Sequence, residues 1–400
     1  MIGGKRMSSE SLSTVGLFSG VGGFELGFQR AGHRISSLCE IDEAAASVLS
    51  KRFRDVTIHR DVRTLSALPA GTDAVLAGFP CQDLSQAGRM LGLAGHNSGL
   101  VSEVFRLLEK TRVPHVLIEN VPNMLRVDRG AAMASILDRL EALGYAWAYR
   151  VIDTRSFGLP QRRHRVFLLA SRELRPEAIL LAQDEARVWP SDDHELDAKA
   201  YGFYWTEGNS GIGWTKEAVP PLKGGSGVGI PSPPAIWLRS AIHALPPFVT
   251  PGIELAESMH GLPKGWTKCH EPTHERRRWR MVGNAVSVPV ATWIGRRLGT
   301  APRETVPEPK TRLTGTAWPT AAFGSRKGRF AADAGMAPRA FQPRLLWDCV
   351  KATGDVAPLS WRAAAGFERR LKASSLRAPS EFRESLRAYV NDSAEAQAAE

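Results

Sequence analysis

Cysteine is scarce in this 400-residue chain: Cys39, Cys81, Cys269 and Cys349 are the four, and no two form a Cys-x-x-Cys pair. That spacing argues against a disulfide framework and a four-cysteine zinc site, and the low count suits a reducing cytoplasm. Cys269-His270 with His274 lacks the second ligand pair of a zinc centre, so no metal is expected. No apolar run reaches the roughly 18 residues of a membrane span. Residues 1–13 are polar and Gly/Ser-rich, without the apolar core of a signal peptide, and read as a flexible tail. Acid is in deficit: 41 Asp and Glu stand against 52 Lys and Arg, a net charge of +11. The excess favours a polyanionic partner, most simply nucleic acid. No internal repeat occurs.

From Thr14 to about Ser171, short apolar runs alternate with helical periods. Val15–Phe18, Ser36–Cys39, Asp73–Ala77, His115–Ile118 and Arg165–Ala170 read as strands, and Phe24–Ala31 as a helix. Strands separated by helical segments indicate an α/β fold with a doubly wound, mostly parallel sheet. After Arg172 the composition changes to acid-rich, then to a Gly/Pro/Trp-rich stretch, which indicates a smaller loop-rich domain over 172–275. Arg276-Arg277-Arg278-Trp279-Arg280 leads into Val282-Gly283-Asn284, and a helix is expected from about Val290 to Leu298. A proline-bearing linker follows, then a C-terminal extension over 300–400 with a helical stretch from Ser360 to Tyr389.

Phe18-Ser19-Gly20-Val21-Gly22-Gly23 closes the first strand and opens a helix. Glycines let a ligand approach the backbone, and helix-terminal amides favour an anionic group. The third glycine of a dinucleotide fingerprint would fall at Glu25, which weakens a nicotinamide reading. Glu40, 20 residues after Gly20, suits the two hydroxyls of a ribose, and Asp61 can reach an adenine edge. The trio points to an adenosyl cofactor. Gly78-Phe79-Pro80-Cys81-Gln82 places a thiol on a loop at a strand's C-terminal end, with Ser85 beyond it. An arbitrary cysteine is more often a small core hydrophobe, but a thiolate at that edge can act as a nucleophile. Glu119 ends another strand; partial desolvation favours its protonated form, which can donate to a bound base. Arg163 and Arg165 alternate in an extended segment and share a face, aimed at a substrate or its phosphates.

Phe-Ser-Gly-x-Gly-Gly, Pro-Cys-Gln, Glu-Asn-Val, Gln-Arg-Arg-x-Arg and Gly-Asn-Ala-Val, in this order over Val15–Leu298, resemble the motifs of the DNA cytosine-5 methyltransferases. The resemblance implies that Cys81 adds to carbon 6 of a flipped cytosine, and that carbon 5 then takes a methyl group from S-adenosyl-L-methionine. It implies that Glu119 bonds the ring nitrogen and amino group, and that Arg165, with Arg163, orients the base and the carboxylate. Phe18, Ser19, Gly20, Gly22, Gly23, Glu40, Ile41, Asp61, Val62, Pro80, Leu100, Asn284 and Val286 match cofactor-pocket positions. Gln82, Ser85, Arg163, Lys223, Gly225 and Ser226 are candidate DNA contacts, and Gly208–Gly211 is a second candidate loop. The same resemblance makes 14–171 plus 276–299 one catalytic domain, 172–275 a target-recognition domain organised around Glu257, double-stranded DNA the partner, and a bacterial restriction or defence system the setting. A monomer is expected.

Three departures stand out. The acid usual near the start of the first strand is absent from Thr14-Val15-Gly16, the arginine common before Leu100 is absent from Asn97-Ser98-Gly99, and Ser258 and His260 replace the usual Arg and Gln beside Glu257. Two other readings remain at this point. A transfer-RNA cytosine methyltransferase is disfavoured by the long 172–274 segment. A catalytically dead DNA-binding protein is disfavoured by the intact Cys81, Glu119 and Arg165.

Overall fold

Alternate residues of a buried strand feed opposite faces of a sheet, and the apolar runs of this chain do so. Val75, Ala77, Val116 and Ile118 enter one core, with Val104, Phe105, Ile136 and Leu137 of the helices on that face. Leu76 and Leu117 enter the other, with Phe24, Phe28, Leu49 and Ile294. The computed structural model describes residues 11–79, 99–182, 195–206, 211–224, 233–242, 244–269, 275–300, 311–338 and 344–398. The larger sheet has ten strands in the order β12-β14-β13-β6-β7-β5-β4-β1-β2-β3. These are β1 (Ser13–Leu17), β2 (Arg34–Cys39), β3 (Thr57–His59), β4 (Ala74–Ala77), β5 (His115–Asn120), β6 (Ala146–Asp153), β7 (His164–Ser171), β12 (Thr311–Arg312), β13 (Ala321–Ser325) and β14 (Gly328–Ala331). The block β5-β4-β1-β2-β3 is parallel throughout. Antiparallel pairs run from β7 outward to β12.

Helices α1 (Gly23–Arg30), α2 (Glu43–Arg52), α3 (Leu100–Lys110), α4 (Ala131–Ala142) and α5 (Pro176–Leu180) connect or flank these strands. Two later helices, α7 (Glu275–Asn284) and α8 (Val288–Thr300), return to the first strand's neighbourhood. There α8 lies against α1 at a distance that only glycine permits: a Cβ on Gly27 would overlap the Ala291 methyl. Segments distant in sequence therefore build this unit together.

A second sheet, β15-β11-β10-β8-β9, is antiparallel throughout. It comprises β8 (Ala200–Phe203), β9 (Thr215–Lys216), β10 (Ala235–Leu238), β11 (Phe248–Pro251) and β15 (Val356–Pro358), flanked by α6 (Ile253–Ser258) and α9 (Leu346–Thr353). Helices α10 (Trp361–Ala373) and α11 (Ser380–Ala398) complete its aromatic core. Phe203 stacks on Phe367 at 5.3 Å and meets Phe382 edge-on at 5.1 Å. No helix among the described residues is long and apolar enough to cross a membrane.

Several sequence boundaries change. The extension at 300–400 is not one unit, because its first strands continue the large sheet while its last helices cover the small one. An uncovered β6 edge and an uncovered aromatic sheet face each need a partner, and the C-terminal chain supplies both. Residues at the expected domain limits also pack on the large unit: Ile179 and Leu180 from one end, Leu262 and Trp266 from the other. The helical stretch 360–389 is two helices, parted before Pro379, where the residue preceding a proline leaves the helical region. Strand β6 was not expected, although Tyr145, Trp147, Tyr149, Val151 and Ile152 carry the aromatic and β-branched signature of one.

Candidate active site

The chain runs β1 to β2 to β3 on one side of β1 and then returns to β4 and β5 on the other. Ligands of open α/β sheets sit beyond the strands' C-terminal ends at such a reversal. The registers level these ends: Leu17 lies beside both Cys39 and Ala77, and Ala77 beside Ile118. The next residues of each strand, Phe18, Glu40, Gly78 and Glu119, all line one cleft of about 860 Å³.

At the β2–β3 end, Phe18, Gly20 and Gly22 all adopt positive φ, 58°, 55° and 81°. The turn closes through Gly22 N–H donating to Ser19 O at 2.8 Å. The space beside Gly20 is open, whereas a Cβ on Gly23 would run into the Val286 carbonyl. Gly20 thus faces the cleft, and Ser19, Gly22, Gly23 and Val286 support the turn from outside its lining. Glu40 accepts from Gly20 N–H and from Asp42 N–H, each at 2.7 Å, so its carboxylate is tied to the turn. Ile41 stands beside it with 64% of its surface exposed, an apolar side chain presented to the cleft. Asp61, Val62 and Leu100 complete this end. Both Asp61 oxygens are engaged by Arg63, which holds that carboxyl below its usual range. The pair is solvent-exposed, and such pairs are cheap to open.

At the β5–β7 end, Glu119 is buried with its Oε1 3.1 Å from Arg165 Nε. Burial raises the Glu119 pKa, while Arg165 and Arg163 oppose the rise. Asn120 donates to the Phe79 carbonyl at 2.9 Å, and a Cβ on Gly78 would lie 3.8 Å from Glu119 Oε2. The last residues before Pro80-Cys81 are thereby held against Glu119. Pro80, Cys81, Gln82, Ser85, Gly225 and Ser226, with His270, His274 and Gly208–Ser210, lie outside the described residues. Arg163 differs from its expected role. Its guanidinium donates to the carbonyls of Leu222, Gly283 and Ala285 at 3.4, 3.2 and 3.0 Å, which ties β7 to the 222 loop and to the end of α7. It borders the cleft, with its Nε buried and without a hydrogen-bond partner. An extended strand does place Arg163 and Arg165 on one face, but the nearer carbonyls capture the first of them.

Helix α7 forms the remaining side. Its Trp279 and Val282 are buried, while Arg277, Arg280, Met281 and Asn284 line the cleft. Glu257 sets its position by accepting from Arg278 at 3.0 Å and from Thr267 N–H at 2.8 Å. Lys223, a candidate DNA contact, lies 4.5 Å over the Tyr204 ring. Sequence reasoning assigned no role to Arg277, Arg280 or Asn120; the spacing of the arginines on a helical period was the available signal.

The missing strand acid also has a structural counterpart. A Cβ on Gly16 would overlap Glu25 Oε1, so a carboxylate from α1 occupies the volume beside the strand. Glu25 is 1% exposed, and burial pushes its carboxyl up to about 7. Cys39 borders the same cleft, yet burial, with Glu40 and Asp61 nearby, pushes its thiol up to about 12.

Comparison with known proteins identifies the family. The family model for C-5 cytosine-specific DNA methylases matches residues 12–200. The Type II methyltransferase M2.BsuMI of Bacillus subtilis (strain 168) is 47% identical over 329 residues, 78% of this chain and 82% of that protein. The Type II methyltransferase M.MspI of Moraxella sp is 27% identical over 316 residues, covering 73% and 72% of the two. Among solved structures, S. pombe Dnmt2 methyltransferase shares the fold, with a TM-score of 0.53 and 16% identity over 72% of this chain and 98% of its own. The chain belongs to the C-5 cytosine-specific DNA methylases and is a DNA (cytosine-5-)-methyltransferase.

Proposed function

We propose that this enzyme methylates a cytosine within a specific double-stranded DNA sequence, through a covalent Cys81 adduct on a base flipped out of the duplex. The observation that carries the reading is the Glu119–Arg165 pair at the strand ends, with Asn120 and Gly78 tying the approach to Cys81 against it. Cys39, Cys269 and Cys349 are buried, and burial raises the thiols of Cys39 and Cys349, which leaves Cys81 as the nucleophile.

The residues at the β2–β3 end fit S-adenosyl-L-methionine. Open space at Gly20 admits a ligand close to the backbone, Ile41 offers an apolar face to a heterocycle, and Glu40 offers anchored acceptors to a ribose diol. The bound cofactor supplies the methyl group. Arg63 leaves Asp61 if that carboxylate is to meet an adenine amino group.

The Cys81 thiolate adds to carbon 6 of the cytosine. Glu119, whose protonated form burial favours, donates to ring nitrogen 3, so the electron pair displaced by the addition does not remain as a bare charge. Arg165 orients Glu119 and the base. Carbon 5 becomes nucleophilic and is methylated; it then loses its proton to a base, the carbon 6–sulfur bond breaks as ring nitrogen 3 returns its proton to Glu119, and the Cys81 thiolate is restored. A cytosine in a duplex cannot reach these groups, so the base leaves the stack. The Type II name of M2.BsuMI supports a place as the modification arm of a restriction or phage-defence system.

Duplex DNA carrying 5-fluorocytosine tests the reading directly, because fluorine does not leave as a proton does. With S-adenosylmethionine present, a protein–DNA adduct that survives denaturation is expected, and Cys81→Ser abolishes it while cofactor binding persists. An adduct on RNA alone, or none on any duplex from folded protein, overturns the proposal. Bisulfite sequencing of DNA from expressing cells then identifies the methylated site.

A further inference from the structure

The arginine run opening α7 has no part in the chemistry above, yet the fold sorts its members by position. Arg278 turns inward to Glu257 and Thr267, and Trp279 is buried. Arg277 and Arg280, three residues apart and so on one helical face, are exposed and line the cleft. Neither has a hydrogen bond or ion pair with the described residues. A surface arginine with several nearby acids normally finds a partner; here Asp42, Glu43 and Asp61 border the same cleft, but from the β2–β3 end.

A second group of residues adds to the same surface. Gly283 and Gly224 pack backbone to backbone so closely that a Cβ on Gly283 would overlap Gly224 N, and a Cβ on Gly224 would lie 3.6 Å from Arg280 Cγ. The Lys223–Gly224 loop is thus seated on the end of α7, while the Lys223 ammonium lies over the Tyr204 ring. Arg163 binds this junction to β7 by donating to both Leu222 O and Gly283 O. The end of the helix that carries the two arginines is therefore fixed beside the segment that bears Arg165.

The cleft carries Glu40, Asp42, Glu43 and Asp61 at the β2–β3 end, where Arg60 donates to the Ile41 carbonyl, and, on the α7 side, two guanidinium groups with no partner among the described residues. Phosphates are repelled by the first and held by the second, where the planar guanidinium fork matches phosphate oxygens. We propose that Arg277 and Arg280 bind backbone phosphates of the DNA strand that carries the target cytosine, flanking the base seated at Glu119 and Arg165. The inference rests on the DNA-methylation reading and adds two residues that position the substrate strand. The other anion that could meet these arginines is the cofactor's carboxylate, and the test separates the two.

The experiment measures the affinity of purified full-length protein for a labelled duplex carrying a site it methylates, between 50 and 200 mM salt. Wild type is compared with Arg277→Gln/Arg280→Gln and with Arg296→Gln, an exposed α8 arginine that does not line the cleft. Each lost phosphate contact removes roughly 0.9 from the slope of log affinity against log salt, so the double variant should lose about two units of slope. Its affinity should fall about equally on cognate and non-cognate duplexes, with S-adenosylmethionine affinity unchanged. Arg296→Gln should keep the wild-type slope. A double variant with the wild-type slope overturns the proposal. So does weakened cofactor binding with DNA binding intact, which assigns the arginines to the cofactor's carboxylate. Wild-type protein that binds no duplex overturns the methylation reading itself, and the phosphate contacts with it.

Discussion

The two ends of the cleft hold their charged groups in opposite ways. At the β2–β3 end, Glu40 is tied to backbone amides of its own neighbourhood, and Asp61 is paired with Arg63 two residues away. At the β5–β7 end, Glu119 and Arg165 come from different strands, and Arg163 draws carbonyls from two further segments. Local bonds suit the proposed cofactor pocket, which meets one invariant molecule. Long-range bonds couple the proposed reacting groups to the 222 loop and α7. A change at the first end should act on cofactor affinity; a change at the second should act on chemistry and DNA.

Glu119→Gln is the sharpest test of that division. The amide keeps the size but cannot transfer a proton, so methylation should fall by roughly 10²- to 10⁴-fold. Cofactor affinity should be preserved, as equilibrium binding would reveal; a parallel loss of cofactor would erase the distinction. Wild-type turnover should also depend on pH in a definite direction. Burial raises the Glu119 pKa, so the donating form persists above the usual carboxylate range, and the rate falls as pH passes that raised value. Glu119→Gln should lose this alkaline limb.

Glu40→Ala tests the other end. It removes the acceptors of Gly20 N–H in the glycine turn and of Asp42 N–H, each at 2.7 Å and each contact of a kind worth about 1.5–3 kcal/mol. Cofactor affinity should weaken at least tenfold, while affinity for duplex without cofactor stays near wild type. Unchanged cofactor titrations would remove Glu40 from the ribose.

An effect on stability rather than on binding or rate lies beneath the turn, at Glu25. Its folded pKa of about 7 is above the ordinary 4.5, so the fold favours the neutral acid. The stability this contributes is complete below pH 4.5 and is lost as pH rises through about 7. The whole swing is roughly 3 kcal/mol, at 1.36 kcal/mol per unit. Urea midpoints at pH 5.5 and pH 8 should fall less for Glu25→Gln than for wild type, and equal falls would show that Glu25 does not titrate in this range.

Much of the first end was legible because its signals are local. A strand, a glycine turn with positive φ and an acid after the next strand lie within about 30 residues, and period and residue type suffice to place them. The second end was legible only as motifs. That Glu119 and Arg165 pair follows from β7 running antiparallel to β5, a register that places Glu119 opposite Phe167. Alternation along an extended segment suggests that Arg163 and Arg165 share a face, but could not show that three carbonyls from distant segments would bind Arg163. Nor could it show that the last hundred residues divide between two sheets, since Phe367 and Phe382 signal burial without naming the surface they cover.

By itself, then, the sequence determined the parallel α/β framework, the glycine turn and the acid at position 40, which rest on residue type and short spacing. The proposed trio of Cys81, Glu119 and Arg165 came from ordered motifs that resemble those of the DNA cytosine-5 methyltransferases. Only the tertiary structure decided which of the arginines are bound by the fold and which face the cleft, because a guanidinium's role depends on the carbonyls and carboxylates within its reach. Those neighbours come from segments up to about 120 residues apart, brought together by sheet order and by the return of α7 and α8 to the first strand.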